Sequence, residues 1–469
     1  MTIKNNQTLL TILRILVISL FAGMTGACLV ALFMATLEAL IRNSSRLIPF
    51  AEFLTPMAGA LLVGSIIIRR FPGAGGEGTN DYIYAVNHKG GRLSLADTLL
   101  KFPATILTLG FHGSGGIVGP LLRIGAGLSS FFAGSALDRT GLRDNNNLRT
   151  AAICGVSGVV SSIFHSPIGG GIFAAEILRR ETMRYSDLFS SILTGAIAFI
   201  TSAILLAQGP VFDIVAPETP MRLSHTLWLP LVGIAAGGIA LLFIIIYERI
   251  SSLMRRIPLK QPATALVGGA IVGLLWLMKA DWALNISMPL FDGMVSGDLS
   301  SLPPSDFYTH NIAGFLLLAL MVKIIATSFT VGSGMSGGFT GPLIILGVGS
   351  GALASRVIGF EAGSPEYFGF MACGLAATLA SAANVPFAAI VITTRMFGGR
   401  GYLLPAITGA IIPFIIYKSR TIYEYTTTQW QLRNMETGRP CTGEETAVPA
   451  DIDADNEELR EIMSSDKPR

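Results

Sequence analysis

Apolar residues run in long stretches along this chain, at Leu9–Leu40, Phe53–Ile68, Tyr185–Leu206, Leu227–Tyr247 and Ile312–Thr330. Several approach or exceed the roughly 20 residues that cross a bilayer as a helix. Others, at Gly116–Ser135, Ala151–Phe164 and Pro167–Leu178, are short and broken by Gly or Pro. Backbone interrupted in this way survives in a membrane only where protein or a wet cavity satisfies the freed polar groups. The pattern predicts an all-α polytopic membrane protein with broken helices, a channel or transporter rather than a simple bundle. The first apolar run is too long, and too poorly flanked, for a cleaved signal peptide.

Polar stretches divide the chain. The expected organisation is a cytoplasmic start at 1–8, a first membrane half at 9–207 and a connector at 208–224 that carries Pro210, Pro217 and Pro220. A second membrane half at 225–425 and a polar, acidic cytoplasmic tail at 426–469 follow. Loops are further expected at Ile41–Ala51 and Asp138–Arg149, and Phe71–Gly91 is Gly-rich and polar.

The two halves repeat each other. Lys101–Gly127 aligns without a gap to Lys323–Gly349, and 13 of the 27 positions are identical. Both segments read Lys-x-x-Ala-Thr-x-x-Thr-x-Gly and then Ser-Gly-Gly-x-x-Gly-Pro-Leu. Cys154-Gly155 through Pro167 aligns in the same way to Cys373-Gly374 through Pro386. Small residues also recur in membrane helices for packing alone, but two gapless matches in the same order point to a duplicated transport fold. Such folds hold their substrate where the repeats meet, at the ends of discontinuous helices.

Composition agrees with a membrane chain: 51% of residues are hydrophobic and 13% charged, against about 25% charged in ordinary soluble domains. The net charge of +3 hides a basic membrane portion and an acidic end. Basic clusters at Arg69-Arg70, Arg179-Arg180, Arg255-Arg256 and Lys418/Arg420 mark cytoplasmic helix ends by the positive-inside rule, and with Lys4 and Arg14 they predict cytoplasmic termini. The four cysteines, Cys28, Cys154, Cys373 and Cys441, are too scattered for a disulfide framework or a metal site. No metal, cofactor or nucleic-acid partner is expected. No Ser/His/Asp, His-Glu-x-x-His or paired catalytic Asp pattern supports an enzyme.

The duplicated glycine stretches carry the candidate chemistry. Gly116–Pro120 and Gly338–Pro342 each open an apolar helix. A helix start offers unpaired N–H donors and about half a positive charge. Two such starts facing each other hold a small anion without a full charge that would slow its release.

These residues give the chain its resemblance to the CLC family of chloride channels and chloride/proton antiporters, over about residues 10–425. Gly116-Ile117-Val118-Gly119-Pro120 is similar to the family's Gly-Lys/Arg-Glu-Gly-Pro, and Ile124-Gly125-Ala126 continues the pattern. Gly338-Phe339-Thr340-Gly341-Pro342 is similar to Gly-x-Phe-x-Pro, with Phe one place early. The family's Gly-Ser-Gly-Ile-Pro falls at Gly76-Glu77-Gly78-Thr79-Asn80, its late tyrosine resembles Tyr423, and its Pro-x-Gly-Gly…Glu segment resembles Pro167-Ile168-Gly169-Gly170…Glu176. The resemblance implies a fold of two inverted-topology repeats with broken, tilted helices. It also implies a homodimer with one pore per subunit, and chloride or a similar anion as substrate.

The departures from the family pattern shape the functional expectation. The family's gating glutamate is replaced by Val118, and its internal proton glutamate by Ile177. Neither residue titrates, which favours a passive chloride channel. The alternative is an anion/proton antiporter with Glu77 as proton carrier. Glu77 stands at the family's anion-binding serine, where a solvated loop carboxylate, a pathway residue and a proton carrier are all open readings. Thr340 stands at the family's aromatic and brings a hydroxyl donor, while Tyr423 is either a donor to the anion or an interfacial anchor, with Tyr425 its competitor. Glu176 and its repeat counterpart Arg395 are candidates for a structural ion pair. His112 and His165, each beside a backbone break, are read as packing or hydrogen-bonding residues. No targeting segment or large cytoplasmic regulatory domain is evident, so a bacterial inner membrane is expected.

Overall fold

A computed structural model describes residues 2–47, 52–137, 146–180, 183–219, 221–259, 261–278, 280–284, 289–299, 302, 311–417, 420–423 and 425–426. The acidic tail beyond residue 426, Cys441, Lys418, Pro220 and positions 138–145 of the expected polar loop lie outside the described residues.

The first half holds α1 (Thr2–Leu47), α2 (Thr55–Leu62), α3 (Thr79–His88), α4 (Leu95–Gly110), α5 (Val118–Phe132), α6 (Asn147–Phe164), α7 (Pro167–Glu176) and α8 (Tyr185–Phe199). The second holds α9 (Leu229–Arg256), α10 (Gln261–Leu277), α11 (Asp281–Leu284), α12 (Pro289–Ser296), α13 (Ile312–Gly332), α14 (Thr340–Ile358), α15 (Pro365–Ala383), α16 (Pro386–Met396) and α17 (Leu403–Tyr417). Seven helices among the described residues are long and apolar enough to cross a membrane, and three more apolar helices are shorter. The first helix is longer than its apolar run predicts, starting at Thr2 and ending at Leu47. Its polar flanks contain no Gly or Pro to stop it, so the polar start and much of the expected 41–51 loop are helical.

The breaks are local in origin. Proline opens α7 and α16, where its missing N–H costs nothing. The residues that close the preceding helices, His165 and Asn384, both take left-handed backbone, with φ of 48° and 59°. These are matching positions in the two repeats, so each half ends one helix and starts the next by the same device.

Packing follows the same duplication. Helix α5 lies on α6 as α14 lies on α15. The close approach depends on glycine. A Cβ on Gly155 would meet the carbonyl of Gly125, and one on Gly374 would meet the carbonyl of Gly347. The fold is the all-α arrangement of two inverted repeats that the resemblance implies, and between its halves residues 208–219 contain no helix.

Candidate functional site

The two glycine stretches meet face to face. Gly116 N–H donates to Gly338 O and Gly338 N–H donates to Gly116 O, each at 2.7 Å, in an isolated antiparallel bridge. Around it the contacts are reciprocal. Thr105 Oγ1 lies 2.8 Å from Ser336 Oγ, and its repeat mate Thr327 Oγ1 lies 3.0 Å from Ser114 Oγ. The chain then enters α5 at Val118 and α14 at Thr340, so both helix starts lie beside the bridge.

A third strip of backbone joins them. Gly76 donates to Gly334 O at 3.3 Å and accepts from Gly337 N–H at 3.2 Å. Gly76 and Gly78 hold positive φ, 66° and 98°, which side-chain-bearing residues rarely adopt. Between them the Glu77 carboxylate turns back onto the start of α3. It accepts from Thr79 N–H at 2.6 Å, from Asn80 N–H at 3.2 Å and from the Thr79 hydroxyl. Only 7% of Glu77 is exposed, so the solvated-loop reading does not hold. The carboxylate also lies against Gly119, where an added Cβ would run into Glu77 Oε1.

Tyr423 comes in from the far end of the membrane portion and is fully buried. Its hydroxyl lies near those of Thr79 and Thr340 and in the field of Glu77. Among the described residues neither Tyr423 Oη nor Thr340 Oγ1 makes a hydrogen bond of good geometry. Buried hydroxyls are seldom left unsatisfied, so two side by side suit a small acceptor between them. Tyr425 instead packs on Tyr84, with ring centroids 5.1 Å apart, and is not the tyrosine of the site.

Other expected residues have different surroundings. Val118 is fully buried at the start of α5 and Ile117 is buried beside it. The Phe339 ring points into an aromatic cluster, edge-on to Tyr247 at 4.6 Å and Phe243 at 5.8 Å. Phe339 therefore has only its backbone to offer at the bridge, as have Gly119 and Gly341. Ile177 is fully buried in the core. Glu176 and Arg395 do not pair. The Glu176 carboxylate accepts from Phe387 N–H at 3.0 Å and Ala388 N–H at 2.8 Å, capping α16, while Arg395 Nε donates to His165 O at 3.3 Å. Each charged group satisfies backbone at the opposite helix break, which competes successfully with a mutual ion pair. His112 lies 6.2 Å from Trp276 and His165 lies 5.5 Å from Phe199, ring to ring, in agreement with packing roles.

Two lysines belong to the site although the sequence marked them only as repeat matches. Lys101 is buried and donates to Gly75 O at 2.6 Å and Gly76 O at 3.3 Å, holding the Glu77 loop. Lys323, its mate, is buried and donates to Leu284 O at 3.3 Å. It also lines a cavity of about 10 Å³ with Gly116, Ile117 and Gly341, space for about one water. The signal was available: a lone lysine within an apolar helix, twice in register, is costly without a purpose. Arg123 was missed too. It is buried on α5 and reaches Asp81 at 2.7 Å, tying α5 to α3.

Comparison with known proteins shows the family and the fold. Residues 59–418 match the family described as voltage gated chloride channel. The chain is 25% identical over 422 residues to the voltage-gated ClC-type chloride channel ClcB of Citrobacter koseri, covering 88% of this chain and 95% of the relative. It is 26% identical over 357 residues to the H(+)/Cl(-) exchange transporter ClcA of Salmonella paratyphi A, covering 74% and 71%. The crystal structure of a CLC-type fluoride/proton antiporter superposes with a TM-score of 0.74 at 20% identity, covering 88% of this chain and 97% of that one.

Proposed function

The chain belongs to the voltage gated chloride channel family, and on that premise we propose that it exchanges small monovalent anions, chloride first among them, for protons across the membrane. One observation carries the reading. A buried carboxylate, Glu77, lies beside two unpartnered hydroxyls, Tyr423 and Thr340, and against Gly119 at the start of α5.

In this reading the anion accepts from the Tyr423 and Thr340 hydroxyls and from backbone N–H groups at Val118–Gly119 and Thr340–Gly341. It arrives beside the Glu77 carboxylate, and the two negative charges repel. Uptake of a proton by Glu77 relieves the repulsion, which links anion occupancy to protonation, and exchange follows when the carboxyl takes up and releases its proton on the sides opposite to those where the anion enters and leaves. Thr79 and Asn80 hold the carboxyl at the head of α3, and its movement between that cap and the anion would carry the proton. Val118 and Ile177, in place of the family's two glutamates, leave this carboxyl as the titrating group of the path. Related proteins support the coupled reading: one curated relative is named an exchange transporter and one structural neighbour is described as an antiporter.

The test is flux in proteoliposomes. An imposed chloride gradient should drive protons uphill, and Glu77→Gln should abolish that movement. Chloride flux that dissipates its gradient with no proton response would instead establish the second reading, a passive channel. The two apolar replacements favour that reading, as does the channel name of the ClcB relative. Neither reading calls for a cofactor or metal. The family resemblance further supports a homodimer, and the basic helix ends support cytoplasmic termini. Bacterial relatives support a bacterial inner membrane.

A further inference from the structure

Lys323 is a buried ammonium with donors to spare. It is 1% exposed, in the middle of the apolar helix α13. An ammonium carries three donors, yet among the described residues Lys323 bonds to one acceptor, Leu284 O at 3.3 Å. Its repeat mate Lys101 holds two carbonyls, Gly75 O at 2.6 Å and Gly76 O at 3.3 Å. Helices α9, α10, α11 and α14 pack against α13, and no charged side chain described on them acts on the Lys323 ammonium. Glu248, Arg249, Arg255 and Arg256 of α9 are exposed, Arg356 of α14 donates to Phe360 O, and α10 carries no charged residue. A charge kept inside a membrane helix on one long bond is costly, and such charges mark transport paths.

Position gives this charge a task. An inverted repeat puts matching residues on opposite sides of its two-fold axis, and that axis runs through the Gly116–Gly338 bridge. Lys101 stays with the Glu77 loop, so Lys323 lies on the side of the bridge opposite Glu77. There it lines the cavity of about 10 Å³ with Gly116, Ile117 and Gly341, room for about one water. Phe212 lines the same cavity and its neighbour Asp213 is exposed, which puts the cavity beneath the solvent-facing connector. Asp213 itself acts on His165 and not on Lys323.

We propose, and this rests on the exchange reading, that Lys323 carries protons between Glu77 and the solvent on the connector side of the bridge. In one direction the ammonium gives a proton to water on that side: one Nζ–H bond breaks and the nitrogen keeps the electron pair. The neutral amine then takes a proton from the Glu77 carboxyl, relayed by water at the bridge, and leaves Glu77 as a carboxylate. The same steps in reverse carry protons the other way. Lysine can alternate between ammonium and amine, whereas a guanidinium stays charged.

Proton and chloride fluxes of the full chain in proteoliposomes test this, read as protons moved per chloride. Lys323→Met should lower that ratio by about tenfold or more, as for loss of a positioned proton donor. Its fold should hold, because an apolar side chain of similar length replaces a buried charge without penalty, and melting in detergent checks that. Lys323→Arg keeps the charge but releases no proton, so it should lower the ratio as far, and it decides the matter if the Met variant unfolds. An unchanged ratio in either folded variant would overturn the proposal. A ratio kept by Arg and lost by Met would mean that the charge alone matters. Loss of both fluxes in equal proportion would also overturn it, by assigning the lysine to the anion or the fold. A parent chain that moves no protons uphill sinks exchange itself, and this proposal with it. A coupled parent whose variants stay coupled removes Lys323 alone and leaves the exchange reading standing.

Discussion

Gly116 and Gly338 exchange both of their main-chain hydrogen bonds, each 2.7 Å long, across 222 residues of sequence. They are equivalent positions in the two repeats, so the local two-fold axis passes between them. A side chain on either would strike the other stretch: a Cβ on Gly116 would lie 2.7 Å from Gly341 N, and one on Gly338 would lie 2.7 Å from Gly119 N. The bridge brings the starts of α5 and α14 together, and in the proposed function those starts offer backbone donors to the anion.

Gly119 tests the steric part of that arrangement. Gly119→Ala drives a methyl into the Glu77 carboxylate and the Glu77 carbonyl. The expected cost is about 1–3 kcal/mol, as for overpacking elsewhere, together with strongly reduced anion flux. Melting in detergent and chloride efflux from vesicles measure the two effects.

Tyr423→Phe removes one hydroxyl donor and nothing else. Loss of one hydrogen bond to a charged group corresponds to about tenfold weaker anion binding. Calorimetric titration of the purified protein with chloride reads the change, and the fold should be unaffected because Tyr423 Oη makes no hydrogen bond of good geometry among the described residues.

Val118→Glu should restore a carboxylate at the head of α5, where it competes with the anion when ionised. Flux should then be slow at neutral pH and recover in acid, whereas the parent lacks this added block. Flux that is unchanged between the two conditions would remove Val118 from the pathway.

Glu176 and Arg395 make opposite predictions from a paired model. Glu176→Ala strips the cap from Phe387 and Ala388 N–H and should cost about 1–3 kcal/mol. Exchanging the charges, Glu176→Arg with Arg395→Glu, should not rescue either single variant, because each side chain serves backbone of one polarity. Melting temperatures of the three variants decide it.

Much of this protein was legible before any tertiary contact was known. Apolar run lengths, Gly and Pro breaks and the 13-of-27 repeat identify broken membrane helices in two copies. They do so because burial in lipid and backbone freedom are local demands that local residues must meet. The glycine cradle was visible for the same reason, and so was the valine, Val118, that stands where the resembling family has a glutamate. What the tertiary structure alone decided is which groups answer which. Glu176 finds N–H groups 211 and 212 residues away rather than an arginine. Glu77 turns inward to cap its own helix, and Lys101 pins the loop that carries it. A buried charge must find some partner, but sequence does not say which of several donors or acceptors packing will bring within 3 Å.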